Sequence, residues 1–323
     1  MKISKGIADL VLVASLAIIT AGNASAESRC GFRQAFTRPD EGGSKTVKVF
    51  EARAVTLSNG KHPLLFLSSL KVNTDGATIS YHQDDPTGKR CERDPSATPC
   101  AINNIRNAYN NAARPVSDFT AVRDKGYPLP RTWQVLSPSI VEKDAKTGKP
   151  CVTQEGYLVS MTADVAIDGA RAGDCDPAKW IDALTAPAIV LPRKTRAIPS
   201  EFIERGLRKR SLVVAVSGGP NRKTVPGIVG DFGPAKELGE ATVAMNRELN
   251  GLPPTEKPKN RTDAIARFQA GRTALLLFPG PEFVLDRPIT GARISAAGTN
   301  ALTKFGGSEK LVDCIRQDID PGF

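Results

Sequence analysis

The stretch Val229-Gly230-Asp231-Phe232-Gly233-Pro234-Ala235-Lys236-Glu237-Leu238-Gly239-Glu240-Ala241-Thr242 runs from an apolar strand into an acid, a Gly-Pro turn and two more acids. The apolar run from Val225 to Val229 has strand character, and Gly and Pro punctuate its end. The pattern that follows predicts a helix over Ala235 to Leu249. Asp231 then closes a strand and Glu240 sits early in a helix, where both can face one cleft. Acids at such places also follow from turn chemistry and from the positive end of the helix dipole, so the spacing alone leaves their role open.

Working outward, similar apolar or alternating runs recur around Thr46 to Leu57, Leu64 to Val72, Trp133 to Leu136, Tyr157 to Val165, Ala188 to Leu191, Leu212 to Val216 and Thr273 to Phe278. Most are bounded by Gly, Pro, Asn or Asp, which is how strands are delimited. Helical spacing is rarer, near Ala101 to Ala113, after Pro177 and from Ser308 to Gln317. Gly251 to Arg261 carries three prolines and several charges and is expected to be an exposed loop. Nothing repeats at a fixed period. The expected fold class is a β-rich α+β protein, with residues 27–323 forming one elaborated domain.

The N-terminus has the order of parts of a secretory signal peptide over residues 1–26: Lys2 and Lys5, an apolar stretch from Leu10 to Ala21, and Ala24-Ser25-Ala26 before the expected cut. The apolar run is shorter than the roughly 18 to 20 residues a membrane span needs. Cys30 lies too far past the cut for a lipid anchor. The six cysteines, Cys30, Cys91, Cys100, Cys151, Cys175 and Cys314, all follow it, and an even number in an exported chain points to three disulfides. Six thiols admit 15 pairings. Short loops favour Cys91 with Cys100 and Cys151 with Cys175, leaving Cys30 and Cys314 to join the ends.

Several chemistries are poorly supported. No C-x-x-C is present, and His62 and His82 are too few and scattered for a zinc cage. Ala215 stands where a G-x-S-x-G elbow before Ser217 needs glycine. Neither nucleotide-binding glycine motif occurs. The net charge of +10 is spread along the chain, and its nearest cluster, Arg205, Arg208, Lys209 and Arg210, lacks aromatics on which bases could stack. No metal, cofactor, nucleic-acid partner or membrane anchor is expected. Carboxylates remain, and glycosidic hydrolysis is a reaction for which two suffice.

Four separated blocks carry a resemblance. In order they are Gly156-Tyr157-Leu158-Val159-Ser160-Met161-Thr162-Ala163, then Trp180-Ile181-Asp182-Ala183-Leu184 with Pro187-Ala188-Ile189-Val190-Leu191-Pro192, then Gly230-Asp231-Phe232-Gly233-Pro234 with Leu238-Gly239-Glu240, and finally Phe278-Pro279-Gly280. Together they resemble glycoside hydrolase family 75, the fungal-type chitosanases, over roughly residues 46 to 280.

The resemblance implies an endo-acting, inverting hydrolase of the polysaccharide chitosan; the N-terminal pattern makes a secreted or periplasmic location the expectation, and a monomer is expected. Its fold is expected to be a compact β-barrel of the double-psi kind with helices outside. The essential acids fall on Asp231 and Glu240, with Glu240 assigned as general acid and Asp231 as general base, an assignment the sequence leaves reversible. Lys71-Val72-Asn73-Thr74-Asp75-Gly76 is similar to an Asp-rich segment of the family but has Asn73 where an acid is usual. Asp75 is expected to bind substrate, with Asp84 and Asp85 as further candidates for that role; turn formation by Asp-Gly and before Pro86 accounts for these acids equally well. Two features oppose a direct transfer of substrate: chitosan is a polycation facing a basic protein, and only 2 Trp and 4 Tyr are present to stack on sugars, of which Trp133, Trp180, Tyr81 and Tyr157 lie nearest the matching blocks. The alternatives are a hydrolase of another amino-sugar cell-wall glycan and a catalytically inactive, secreted glycan-binding protein.

Overall fold

The computed structural model of the chain describes residues 30–162, 164–233 and 236–323; the signal peptide expected over 1–26 lies outside the described residues. Among the described residues ten strands are formed: β1 (Phe32–Pro39), β2 (Thr46–Ala52), β3 (Leu64–Asn73), β4 (Tyr81–His82), β5 (Tyr157–Leu158), β6 (Ala188–Pro192), β7 (Leu212–Ser217), β8 (Thr224–Gly233), β9 (Glu240–Thr242) and β10 (Ala270–Leu277). Among the described residues there are also eight α-helices: α1 (Arg90–Arg93), α2 (Val116–Asp124), α3 (Arg131–Val135), α4 (Glu201–Glu204), α5 (Val243–Leu249), α6 (Arg261–Arg267), α7 (Gly291–Phe305) and α8 (Gly307–Asp318).

Six strands close on themselves in the order β3-β10-β7-β8-β6-β9, with β9 returning to β3, while β1 and β2 extend the sheet from β3. β3 with β9 and β6 with β8 are parallel; the other barrel pairs are antiparallel. Exchanging β3, β6 and β7 with β8, β9 and β10 leaves every pairing unchanged. The barrel is therefore two interlocked halves, the pattern that a double-psi barrel entails.

The continuous apolar runs that mark these strands follow from burial on both faces. Alternate residues of one strand enter different clusters. Leu65, Val214, Val216, Ala274 and Leu276 pack in a cluster with Ile294, Phe305 and Ile315 of α7 and α8. Leu64, Phe66, Val213, Ala215, Leu275 and Leu277 pack in another with Phe202 of α4 and Met245 of α5. Each such side chain contributes about 1.5–3 kcal/mol on full burial. The excursion between β3 and β6 has a small core of its own, including Tyr81, Ile105, Phe119, Val122, Val135, Leu136 and Leu158.

All three disulfides have the expected partners. Cys91–Cys100 and Cys151–Cys175 lie in that excursion, and Cys30–Cys314 ties the chain two residues before β1 to α8. No helix among the described residues is long and apolar enough to cross a membrane.

Several expected elements differ. The helix expected over Ala235 to Leu249 starts only at Val243, and Glu240 lies in β9. The cause is tertiary: Lys71 N donates to Gly239 O at 2.7 Å, Glu240 pairs with Lys71 on one side and Val190 on the other, and Gly239 has φ +115°, outside helical space. The helix expected near Ala101 to Ala113 shrinks to a 3-10 turn, Ile105–Ala108. Side chains of Asn103 and Asn111 accept from backbone amides of Asn104 and Ala113, which competes with helix formation on either side, while Asn104 caps the short turn by accepting from Arg106 N. Trp133 to Leu136, expected as a strand, falls largely in α3, since a four-residue apolar run does not distinguish the two. Tyr157 to Val165 gives only the two-residue β5. The expected loop Gly251 to Arg261 ends where α6 begins, capped by Asn260. β1 and α7 were not anticipated; the buried face of α7 is built from small residues such as Gly298 and Ala301 as well as Ile294 and Phe305, which dilutes its apolar stripe.

Candidate active site

The strand ends carry the acids. Val190 of β6 pairs with Glu240 of β9 on one side and Asp231 of β8 on the other. Two adjacent strand spacings of about 4.8 Å put the two acid-bearing backbones about 10 Å apart. Both side chains line one cavity of about 760 Å³, together with Asp75, which stands two residues beyond the end of β3. The three elements are thus neighbours in the closed barrel although Asp75 and Glu240 are remote in sequence.

Glycines make the approach of β8 to its neighbours possible. A Cβ on Gly233 would lie 2.6 Å from Val190 Cγ1 and 3.6 Å from Glu240 Oε2, and one on Gly230 would lie 2.7 Å from Ala188 Cβ. Thr242, at the other end of β9, donates to Ala186 O at 2.9 Å, accepts from Ala188 N at 3.0 Å and caps α5 by accepting from Met245 N. It pins β9 to β6 and so holds Glu240 in place.

Asp75 sits in a turn built by the surrounding polar side chains. Its amide donates to Asn73 Oδ1 at 2.8 Å, and its carboxylate accepts from the Tyr81 hydroxyl at 2.8 Å. Asn103 Nδ2 supports this pair by donating to Tyr81 Oη at 3.1 Å and Thr74 Oγ1 at 2.7 Å. Gly76, at φ +88°, is packed so closely that a Cβ would lie 2.5 Å from Ile181 O and from Thr162 Cγ2, and its amide donates to Ser160 Oγ at 3.1 Å. Two of the sequence blocks singled out above, around Ser160 and Ile181, therefore support the Asp75 turn. Asn73 links the turn to the acid on β9, its Nδ2 donating to Glu240 Oε2 at 3.4 Å. An acid at position 73 would instead add a like charge there.

Burial and mutual repulsion raise carboxyl groups of the cavity. Burial, reinforced by Asp75 and Asp231 and opposed by the Asn73 amide, pushes the Glu240 carboxyl up to about 7. Burial likewise raises Asp75 to about 7, against the stabilising Tyr81 hydrogen bond and with the Asp231 charge adding to the rise. Tyr81, buried beside Asp75, is held well above its ordinary range and remains a donor. Asp231 is half-buried, and its Oδ1 accepts from the following amide of Phe232 at 2.6 Å.

A further carboxyl group, Glu41, was missed in the sequence. It sits on the turn between β1 and β2, which docks on the segment before β9 through Glu41 N to Leu238 O at 2.6 Å and Leu238 N to Pro39 O at 3.0 Å. Burial, then the neighbouring Glu240 and a hydrogen bond with Glu237, raises Glu41 to about 7. Nothing local in Asp40-Glu41-Gly42 signals this, because the hairpin reaches the cavity only once the barrel has closed.

The other expected residues lie elsewhere. Asp84 and Asp85 do not line the cavity. Asp84 is exposed and pairs with Arg123 at 3.2 Å. Asp85 is buried, with one oxygen accepting from the amides of Lys89 and Arg90 and the other from Ala101, which makes it a loop organiser. Among the proposed stacking residues only Tyr81 lines the cavity, joined by Tyr109 and Phe232. Trp133 donates to Gly148 O at 3.0 Å beside the core of the excursion, and Trp180 lies under the Lys179 ammonium. Among the described residues no group of three His, Cys, Asp or Glu side chains is arranged to hold a metal ion.

The arrangement offers an acid that holds its proton up to near neutral pH and a second carboxyl group across a strand from it, in one cavity of about 760 Å³. No protein-family model matches the chain, and no curated protein matches it.

Proposed function

We propose that the chain is an exported, inverting glycoside hydrolase that cuts a β-linked amino-sugar polymer, chitosan or a related glycan, with Glu240 as general acid and Asp231 as general base. The observation that carries this reading is the pairing of Val190 with both acid-bearing strands, combined with burial that raises Glu240 to about 7. An inverting enzyme needs its carboxyl groups roughly 6.5–9.5 Å apart to admit a water, and side chains converging from backbones about 10 Å apart suit that interval. Glu240 can hold a proton for the leaving oxygen. Asp231, half-buried on the neighbouring strand end, is placed to activate water. Chitosan enters through the sequence resemblance, and three disulfides support an oxidising compartment.

The test is release of reducing ends from chitosan, chitin oligomers and peptidoglycan by the purified chain. Glu240→Gln and Asp231→Asn should each lower turnover by about a hundredfold or more while leaving the fold intact. Turnover of none of these polymers would reject hydrolysis and leave glycan binding.

A further inference from the structure

The cavity wall carries a second set of charges that cleavage of a plain amino-sugar chain does not use. Arg106 from the 3-10 turn, Arg193 just after β6 and Arg261 at the first position of α6 line the same cavity as the carboxyl groups, with Lys71 of β3 among them. The arginines come from three separate elements. Among the described residues none of the three forms an ion pair, whereas Arg38, Arg114, Arg123, Arg210, Arg267 and Arg287 all do.

We propose that sugars flanking the bond to be cut carry carboxylates, so that the substrate is an acidic amino-sugar glycan and not the bare polycation. The proposal rests on the hydrolase reading for the ligand being a glycan. Arg106 is braced to receive such a group. Its Nε and Nη2 donate to Ala112 O at 3.3 and 3.0 Å, which fixes the guanidinium plane and leaves the Nη1 protons and the second Nη2 proton as a fork for a ligand. A planar fork of this kind matches a carboxylate in two-point fashion.

The field in the cavity favours the same ligand. Glu41, Asp75 and Glu240 all titrate near 7 and are largely uncharged below that pH, while the arginines keep their charge. A protonated glucosamine chain entering at mildly acidic pH would meet those cations unpaired, whereas an acidic chain would neutralise them. The overall charge of +10 attracts a polyanion at long range in the same sense. Stacking supplies little alternative, since the aromatic lining is Tyr81, Tyr109 and Phe232, and Tyr81 is buried with its hydroxyl committed to Asp75.

Binding to full-length Glu240→Gln, whose turnover is expected to be at least about a hundredfold slower, tests this separately from hydrolysis. The probes are oligomers of chitosan, of chitin, of peptide-free peptidoglycan with its lactyl carboxylates, and of an alternating uronate–hexosamine chain, the last two also after reduction of their carboxyl groups to alcohols. One carboxylated probe should bind at least about tenfold more tightly than the chitosan oligomer, and carboxyl reduction should abolish the difference. Which of the two it is identifies the source of the carboxylate. Adding Arg106→Gln, Arg193→Gln or Arg261→Gln should weaken that probe by about tenfold and leave the chitin oligomer unchanged. Chitosan oligomers binding as well as or better than both carboxylated probes, no binding by any probe, or a preference insensitive to all three arginine substitutions would overturn the proposal. Cleavage of chitosan by the unsubstituted chain with any of those results leaves the hydrolase reading standing alone.

Discussion

Replacing Asp75 by Asn should move the alkaline limb of the pH–activity profile toward acid without much change at low pH. Asp75 helps to raise the Glu240 carboxyl, second only to burial. Two charges about 7 Å apart, within the range usual for catalytic carboxyl pairs, repel by about 1 to 2 kcal/mol at an effective dielectric constant of about 20 to 40. That is about one pH unit on the acid they act upon. Removing the Asp75 charge lowers the Glu240 pKa, so the general acid loses its proton at lower pH and the descending limb, expected near 7, falls earlier. At pH 5 the native Asp75, which titrates near 7, is already neutral, and Asn is a close mimic of a neutral Asp. Turnover there should change by no more than about fivefold, because a single neutral hydrogen bond to Tyr81 is worth about 1 kcal/mol. The assay is kcat/KM for reducing-end release from pH 4.5 to 8.5, beside the thermal midpoint of each protein. A limb that stays in place, or moves toward alkali, would refute the electrostatic account; a loss uniform across pH would instead assign Asp75 to substrate contact.

Ser160→Ala removes the acceptor of the Gly76 amide, and should cost about 1 kcal/mol of stability while lowering kcat about tenfold through a loosened Asp75 turn, measured by denaturant melts and turnover together. Lys179→Met should destabilise by about 3–5 kcal/mol, because Lys179 and Glu142 form a buried pair at 2.6 Å and the glutamate would be left uncompensated; the double variant with Glu142→Leu should recover part of that loss. Replacing Cys30 and Cys314 by serine should lower unfolding free energy by about 5–6 kcal/mol in the chain-entropy account, against about 2–3 kcal/mol for loss of Cys91–Cys100, since the bridges close loops of sequence separation 284 and 9. Equal effects of the two bridges on the denaturant midpoint would reject loop closure as the source.

The local character of the chain was legible wherever the physics is local. Runs such as Leu212 to Val216 read as strands because β-branched side chains stiffen the backbone in favour of extended conformations, and continuous apolar character fits burial on both faces. The short spacings of Cys91–Cys100 and Cys151–Cys175 made those pairings readable, and the third followed by elimination. An acid at a strand end was likewise visible as Asp231, whereas Asp75 was singled out only through the family resemblance. Tertiary structure decided the rest, because it depends on pairings between segments far apart in the chain. Glu240 entered a strand, against the helical pattern around it, once β3 and β6 captured its backbone from either side. Glu41 reached the cavity on a hairpin, while Asp84 and Asp85, similar to Asp75 in sequence, were taken up by Arg123 and by loop amides. A carboxyl group's chemistry is set by the dielectric and the charges within a few ångströms of it, and only closure of the barrel determines which neighbours those are.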